Sequence, residues 1–377
     1  MLQVLPSLVM GGVERSTVEI AGGLTAAGWR ALVASSGGPM VREIERAGAR
    51  HFTLPLADKS PLALLRNAGT LANLVSLEGV DLVHARSRAP AWSAWMAARR
   101  RDLPFVTTFH GTYGLGLPGK RWYNSVMTRG RRVIVASRFI ADHVRRHYGV
   151  GDDRLRLIPR GVDLAMFDPA RVSPERMIQL ARSWRLPDGV PVVMLPGRLT
   201  RWKGQLVLID ALSHFRHRDF RCVLVGSDQG RTGYRREIER RVEARGLAAK
   251  VQIVDDCRDM PAAYMLSDVV VSASTDPEAF GRVAIEAQAM GRPIVATRLG
   301  AAPETVIEHE TGLLVAPGDA NALARALEDA LALDADQREQ LAGRAIAHVR
   351  ANFTRDLMCA RTLDVYCEVL NEAGWRG

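Results

Sequence analysis

Two carboxylates in the second half of the chain have the spacing of a ligand-binding pair. Glu278 and Glu286 are separated by seven residues, and they follow an apolar run that predicts a strand at Val269 to Ser272. The next helix begins between them, so Glu278 lies on the loop while Glu286 lies within the first helical turns. The two carboxylates can therefore reach opposite ends of one ligand.

The residues between the two glutamates supply backbone donors. Ala279, Phe280, Gly281 and Val283 stand where the predicted helix begins. The first N–H groups of a helix have no acceptor within it, and they suit the oxygens of sugar hydroxyls and phosphates. This segment, Ala279 to Val283, is therefore a candidate for binding a sugar or a phosphate.

Arg198 and Lys203 form a second group, on a loop that follows the predicted strand Val192 to Leu195. Open α/β sheets bind ligands at their carboxyl edge, where this loop must lie. A guanidinium and an ammonium there can hold a diphosphate and neutralise the charge that develops as it leaves. Taken alone, the two residues are equally well read as solvent-facing cations.

A glycine turn begins the first helix. Gly11 and Gly12 follow the apolar run Leu2 to Leu8. Such a turn lets a phosphate or a sugar approach the amides at the positive end of a helix. The same turn can also serve only tight packing.

Short β-branched runs alternate with helical patterns along the chain, which predicts parallel sheets wrapped by helices. A first series of strands is predicted at Leu2 to Leu5, Ala31 to Ala34, His51 to Leu54, Asp81 to Ala85, Phe105 to Phe109, Val133 to Ala136 and Leu155 to Ile158. A polar, proline-punctuated linker is predicted near 169–191. A second series is predicted at Val192 to Leu195, Cys222 to Val225, Val251 to Val254, Val269 to Ser272, Ile294 to Ala296 and Leu313 to Val315, and helices follow from Asn321 onward. We therefore expect an α/β protein with two doubly wound, Rossmann-like domains, at 1–170 and 185–354.

Several short segments, taken in order, resemble the retaining glycosyltransferases of family 4. They are Gly11 to Glu14, Gly197-Arg198 with Lys203-Gly204, the Glu-x7-Glu pair at Glu278 and Glu286, Ala289 to Thr297, and Glu310 to Val315. The resemblance spans nearly the whole chain. It implies the GT-B fold, in which two Rossmann-like domains face each other across a central cleft, with a C-terminal helix at about 355–377 that packs back on the first domain.

The resemblance also implies a role for each candidate residue. Arg198 and Lys203 would hold the donor diphosphate, Glu286 the ribose hydroxyls, and Glu278 with the amides that follow it the transferred sugar. His110, at the end of a first-domain strand, would close over the donor sugar from the opposite side, although a histidine at a strand end is otherwise most often structural.

The reaction implied is transfer of a hexose from a UDP-sugar or a GDP-sugar to a saccharide or lipid-linked acceptor, with retention of configuration. His110, Arg198, Lys203 and Glu278 would be the catalytic residues. We expect no metal, no cofactor beyond the donor, and no nucleic acid partner. The pathway implied is the biosynthesis of cell-surface polysaccharide or lipopolysaccharide.

Three positions depart from the family pattern. Arg160 stands where asparagine is usual, and the segment Gly300 to Glu304 has alanine for the usual second glycine. We expect neither to touch the residues assigned to chemistry. Arg282, where an aliphatic residue is commoner, leaves the identity of the donor open because it lies inside the donor loop.

Composition limits the class of protein. With 377 residues the chain fits two domains, and no apolar stretch reaches the roughly 18 residues of a membrane span. Four cysteines without metal-ligand spacing and the absence of a basic segment before the first apolar run favour a cytoplasmic protein.

The net charge of +10 is uneven along the chain, with 27 Lys and Arg against 14 Asp and Glu up to Arg185, and 24 against 27 after it. Basic clusters at Arg99 to Arg101 and Arg129 to Arg132 lie near tryptophans, which suits docking on the anionic surface of the inner membrane. Solvated helix faces are the alternative for these arginines.

Three other classes of protein remain as alternatives. A nucleotide-sugar 2-epimerase of the same fold would also bind a UDP-sugar, and an assay without acceptor separates it from a transferase. A noncatalytic sugar-binding protein would ordinarily have lost a carboxylate or a phosphate-binding cation, and all four are present here. A Rossmann dehydrogenase is disfavoured because no Gly-x-Gly-x-x-Gly follows either opening strand.

Overall fold

The computed structural model describes residues 1–9, 11–116 and 118–374. Its strands are β1 Leu2–Val4, β2 Leu32–Ser35, β3 Arg50–Thr53, β4 Val83–Ala85, β5 Phe105–Phe109, β6 Arg132–Val135, β7 Leu155–Leu157, β8 Val192–Pro196, β9 Arg221–Val225, β10 Val251–Val254, β11 Val269–Ser272, β12 Ile294–Thr297 and β13 Leu313–Val315. All thirteen predicted strands are present, each within two residues of its predicted bounds.

The helices alternate with these strands. They are α1 Gly12–Ala26, α2 Val41–Arg46, α3 Pro61–Leu77, α4 Arg88–Arg100, α5 Lys120–Asn124, α6 Arg138–Tyr148, α7 Pro174–Ser183, α8 Gln205–Leu212, α9 Thr232–Ala244, α10 Met260–Leu266, α11 Arg282–Ala289, α12 Ala302–Thr305, α13 Ala320–Ala332, α14 Ala335–Asn352 and α15 Arg355–Glu372. Short 3₁₀ turns lie at Ser125–Thr128, Pro169–Arg171, Arg201–Lys203 and Ser213–Phe215.

The chain forms two compact units, one of Met1–Gly161 with Arg355–Gly377 and one of Val162–Thr354. The division therefore falls after Gly161, and α7, in the segment expected to be a linker, belongs to the second unit. The last residues of the predicted helix at 355–377 lie outside the described residues.

The first unit contains a seven-stranded sheet in the order β3-β2-β1-β4-β5-β6-β7, with every neighbouring pair parallel. The strand order reverses between β1 and β4, and this position is a topological switch point. Helix α15 belongs to this unit because Tyr366, Val369 and Leu370 pack into the same core as Leu5 and Ile20.

The second unit contains a six-stranded parallel sheet in the order β10-β9-β8-β11-β12-β13. Its switch point lies between β8 and β11. All five residues of β8 and all four of β12 are buried, as expected for strands that helices cover on both faces. The predicted fold class, α/β with two doubly wound Rossmann-like domains, is confirmed.

Candidate functional site

The two loops that carry the predicted donor site follow β8 and β11, the strands that flank the switch point of the second sheet. After β8 the chain makes a 3₁₀ turn at Arg201–Lys203 and enters α8 through Gly204, which has φ +72°. A Cβ at Gly204 would lie 1.8 Å from the Ala273 carbonyl oxygen, so only glycine lets the two loops approach this closely. The backbones are joined directly, since the Thr275 N–H donates to the Trp202 carbonyl at 2.8 Å.

This approach brings together two residues that are 75 positions apart. Lys203 Nζ lies 2.8 Å from Glu278 Oε1, and the side chains are only 13% and 15% exposed. The Ser274 hydroxyl donates to the same carboxylate oxygen. The Lys203 ammonium also lies 4.5 Å from the centroid of the Trp202 ring. In this structure Lys203 is therefore paired with Glu278 and fixed in place.

Arg198 differs from Lys203 because it is exposed. The fully buried Gln205 holds this loop, because its Nε2 donates to the Arg198 carbonyl at 3.0 Å. Gln205 in turn accepts a hydrogen bond from the Tyr234 hydroxyl at 3.1 Å. The structure thus anchors the backbone of Arg198 and leaves its guanidinium at the surface.

Helix α11 begins at the second loop without a side-chain cap. Its N-cap is Gly281, at φ +80°, which supplies no side-chain cap to the first turn. Phe280, 5% exposed, packs its ring edge against Phe353 at 5.7 Å between centroids and so anchors the loop. Helix α11 therefore begins beside Glu278 with a glycine in place of a capping side chain.

Glu286 lies one turn into α11 and is held on both carboxylate oxygens. Oε2 accepts from the Tyr264 hydroxyl at 2.9 Å, and Oε1 lies 3.2 Å from Arg282 Nε. The Glu286 side chain is 16% exposed. Both members of the Glu-x7-Glu pair thus have a cation beside them.

In the first unit, His110 follows β5 and contacts Arg160, one of the three positions that depart from the family pattern. Its Nδ1 is in hydrogen-bond contact with a guanidinium nitrogen of Arg160, and its buried Nε2 has no partner. Burial first, and then the charge of Arg160, holds the pKa of His110 well below its usual value, so the ring is neutral. Because Nδ1 must accept from Arg160, Nε2 carries the proton and is a donor available to a ligand.

The glycine turn of the first unit lies where α1 begins, with Gly11 as its N-cap and Gly12 as its first residue. The Glu14 carboxylate folds back over the turn, so a Cβ at Gly11 would lie 2.3 Å from Glu14 Oε2. A Cβ at Gly12 would meet no atom within 4 Å. A Cβ at Gly11 would thus displace only the flexible Glu14 carboxylate, and Gly12 leaves open space beside the helix.

With this geometry established, comparison with known proteins gives a consistent result. Residues 10–166 match the family described as Glycosyltransferase Family 4, and residues 178–348 match Glycosyl transferases group 1. A D-inositol 3-phosphate glycosyltransferase from Xylanimonas cellulosilytica is 32% identical over 304 residues, which cover 76% of this chain and 72% of that protein.

The chain belongs to glycosyltransferase family 4.

Solved structures agree with this assignment. A glycosyltransferase from Rickettsia africae has a TM-score of 0.91 and 38% identity, with 98% of each chain covered. HepE from Anabaena, solved in complex with UDP-glucose, has a TM-score of 0.85 and 24% identity, covering 97% of this chain and 99% of that one. At that identity the likeness to HepE shows the shared fold.

One expectation about this family 4 chain is wrong. Arg160 and the alanine of the Gly300 to Glu304 segment were expected to touch none of the residues assigned to chemistry, yet the Arg160 guanidinium contacts His110 Nδ1 and the Ala301 N–H donates to the Glu278 carbonyl at 3.0 Å. For Arg160 the reason is topological: β5 and β7 are separated only by β6, so the residues that follow them meet at the carboxyl edge of one sheet. Arg160 therefore sets the tautomer of His110 and, after burial, helps to keep its ring neutral.

A buried arginine was not found from the sequence. Arg86 follows β4 and is 1% exposed, and its guanidinium donates to Gln3 Oε1 at 3.2 Å and Ser16 Oγ at 2.6 Å. Burial lowers its pKa, and its charge helps to lower the pKa of His110. The available signal was an arginine directly after a buried strand at the switch point, in Val83–Arg86.

Within residues 1–9, 11–116 and 118–374, no three His, Cys, Asp or Glu side chains are grouped as metal ligands. Asp334 and Asp336 form an Asp-x-Asp pair that lies at the N-terminus of α14. Asp334 caps α14 by accepting from the Gln337 N–H at 2.8 Å, and Asp336 lies in the first turn of that helix. Among the same residues no helix is long and apolar enough to cross a membrane.

Proposed function

We propose that this family 4 glycosyltransferase moves a hexose from a UDP-sugar or a GDP-sugar to a saccharide or lipid-linked acceptor, with retention of configuration and without a metal. The observation that carries the proposal is the pair of carboxylates on either side of the α11 N-terminus, each beside its own cation. Two neutralised carboxylates can accept from sugar and ribose hydroxyls without repelling the diphosphate between them.

Each predicted residue receives a role that its position supports. Arg198, exposed on an anchored loop, and Lys203 would hold the diphosphate. Glu278 and the amides from Ala279 to Val283 would bind the transferred sugar, and Glu286 the ribose. HepE, which shares the fold, was solved with UDP-glucose, and this agrees with a nucleotide-sugar donor.

In the first unit, His110 would donate from Nε2 to a hydroxyl of the transferred sugar, because Arg160 already occupies Nδ1. The open space beside Gly12 would admit the donor or the acceptor to the amides of α1.

The proposed chemistry requires positioning and charge stabilisation. The bond from the anomeric carbon to the diphosphate oxygen breaks, and the acceptor oxygen bonds to that carbon on the same face. The acceptor proton passes to the departing phosphate oxygen. Arg198, Lys203 and the α11 amides stabilise the negative charge that grows on the diphosphate, and such fixed donors commonly supply several kcal/mol.

A panel of UDP-, GDP- and ADP-sugars tests the donor assignment by thermal stabilisation. A donor present at about 100 times its Kd adds about 2.7 kcal/mol of stability, which raises the melting temperature of a domain of this size by roughly 5 to 10 °C. We expect one base to stand out, with and without EDTA. Stabilisation by no member of the panel, or only when a divalent metal is added, contradicts the proposal.

The acceptor proposed is anionic and membrane-borne, and it rests on the charge of the first unit. That unit has 26 Lys and Arg against 15 Asp and Glu, whereas the second has 25 against 26. The curated relative from Xylanimonas is named for a phosphorylated acceptor, which agrees with an anionic one. We propose that the protein works at the cytoplasmic face of the inner membrane, in the biosynthesis of cell-surface polysaccharide or lipopolysaccharide.

An aromatic and basic surface on α4 and α5 suits this location. Trp122 is 63% exposed and stacks on Trp92 at 4.6 Å between ring centroids. The Arg129 guanidinium lies 4.2 Å from the Trp95 ring centroid. Exposed tryptophan beside arginine is the composition of membrane-interface anchors.

The neighbouring helix adds apolar side chains to this surface. Leu62 and Leu65, on the first turns of α3, are 77% and 54% exposed. The Ser93 hydroxyl of α4 donates to the Leu64 carbonyl at 2.8 Å, so these turns lie against α4. Arg132 is not available to this surface, because its guanidinium pairs with Glu368 and Glu372 of α15.

A further inference from the structure

The carboxylate of Glu286 is oriented before any nucleotide binds. Within the described part of the chain its two oxygens accept one hydrogen bond each, Oε2 from Tyr264 Oη at 2.9 Å and Oε1 from Arg282 Nε at 3.2 Å. A carboxylate oxygen has two lone pairs. One lone pair therefore remains on each oxygen, and the two together match a pair of neighbouring hydroxyls.

Tyr264 is a fixed donor to this carboxylate. It lies on α10, its side chain is fully buried, and its ring packs edge-on against Phe167 at 6.0 Å between centroids. Burial, followed by the charge of Glu286, raises the pKa of Tyr264 well above its usual value. The hydroxyl therefore keeps its proton throughout the working range of pH and can only donate to Glu286.

Arg282 provides the second contact and the balancing charge. It is the first residue of α11, it lies one turn before Glu286, and its side chain is 19% exposed. An unbalanced carboxylate in this turn would oppose a diphosphate bound at the same helix N-terminus. Lys203 balances the charge of Glu278 in the same way, and both side chains of that pair are also mostly buried.

We infer that Tyr264 and Arg282 are positioning residues for the nucleotide, and that through Glu286 they select a nucleoside diphosphate with both ribose hydroxyls. The inference rests on the proposed function, in which Glu286 binds the ribose. It assigns Arg282, whose side chain reaches Glu286, to the nucleotide half of the donor. The transferred sugar does not depend on Arg282 in this arrangement.

Isothermal titration with UDP and with 2′-deoxy-UDP tests the inference, or the corresponding GDP pair if the wild-type protein binds GDP. A hydrogen bond to a charged group commonly changes affinity by roughly tenfold or more. We expect the wild-type protein to prefer UDP by about tenfold. Tyr264→Phe should weaken UDP by roughly tenfold and 2′-deoxy-UDP by less than about twofold, because a misaligned Glu286 no longer distinguishes them.

Two variants at Arg282 separate its charge from its hydrogen bond. Arg282→Gln should weaken both nucleotides, since the free carboxylate then repels the diphosphate, and it should also reduce the preference for UDP. Arg282→Lys keeps the charge and should recover most of the overall affinity while the preference for UDP stays reduced.

Tyr366→Phe is the matched control, because it removes another buried phenol hydroxyl, which bonds His84 Nδ1 at 2.6 Å in the first unit. It should leave both nucleotide affinities unchanged. Equal weakening of UDP and 2′-deoxy-UDP by Tyr264→Phe, or an unchanged preference, overturns the inference while the proposed function stands. A wild-type protein that binds both nucleotides equally instead refutes the assignment of Glu286 to the ribose.

Discussion

Replacing Lys203 by methionine removes one cation from two partners, the Glu278 carboxylate and the departing diphosphate. The pair is mostly buried, with side chains 13% and 15% exposed. Breaking a fully buried ion pair costs about 3 to 5 kcal/mol, because a charge is left without a partner. Since Ser274 still donates to Glu278, we expect a loss of about 2 kcal/mol here.

That loss corresponds to a melting temperature lower by about 4 to 8 °C for a unit of this size. Turnover should fall by about a hundredfold, equivalent to about 2.7 kcal/mol of transition-state stabilisation. Steady-state kinetics with the donor selected by the panel, at a temperature where the variant is folded, measures the second effect separately from the first.

The double variant Lys203→Met with Glu278→Gln separates the two roles. A neutral glutamine no longer needs a cation, so the double variant should regain stability to within about 1 kcal/mol of the wild type. Its turnover should stay low, because the diphosphate still lacks Lys203 and the transferred sugar lacks the Glu278 carboxylate. Recovery of turnover together with stability would refute the reasoning, since Lys203 would then act only by neutralising Glu278.

Lys250→Met is the matched control for this series. Lys250 is in the same unit and its Nζ donates to the Arg216 carbonyl at 2.9 Å, away from the switch point. Its loss should change stability without changing turnover.

Arg198→Ala should also lower turnover by about a hundredfold but leave the melting temperature unchanged, because Arg198 is exposed. Turnover close to that of the wild type in a folded Arg198→Ala variant would contradict this role. In titrations with the free nucleoside diphosphate, Glu286→Gln should lose affinity while Glu278→Gln keeps it and loses turnover; equal loss of affinity would contradict the division of labour. Because burial lowers the pKa of His110 in the folded state, only the unfolded chain takes up this proton just below about pH 6.5, and stability should fall as the pH drops through that region. Urea titrations of His110→Asn should show a slope shallower by about 1.4 kcal/mol per pH unit, and an unchanged slope would show that the ring protonates in the folded state. Cosedimentation with anionic vesicles at low salt should be weakened by Trp122→Ala and lost at high salt, whereas equal, negligible binding to anionic and neutral vesicles would remove support for membrane docking.

The fold could be predicted because the central strands of both sheets, for example β5 and β8, are buried on both faces. Such strands appear in the sequence as short continuous apolar runs, as β8 does, and Gly197 marks where β8 ends. Placing candidate residues directly after strands then located them at the carboxyl edge of a sheet without any knowledge of tertiary contacts.

The contacts within the site could not be predicted in the same way. Lys203 and Glu278 meet because β8 and β11 are neighbours across a switch point, although the strands β9 and β10 lie between them along the chain. The contact of Arg160 with His110 depends likewise on which strand ends share an edge.

Two residues of the site gave no local signal of their partners. Tyr264 looks like an ordinary core tyrosine in the sequence, and only the tertiary structure of the second unit brings its hydroxyl to Glu286. Arg282 departs from the family pattern, but the sequence did not show which side chain it contacts. Because α11 begins at Arg282, Glu286 lies one helical turn later, within reach of the guanidinium.

Proton NMR of slow donor hydrolysis tests the central claim most directly. With the nucleotide sugar that stabilises the protein most, and water in place of the acceptor, the first free sugar released from an α-linked donor should be the α anomer. Nucleoside diphosphate should accumulate in equal amount, and Lys203→Met should slow the release of both by about a hundredfold. Release of the β anomer first would contradict retention, and an epimerised sugar would contradict a transferase.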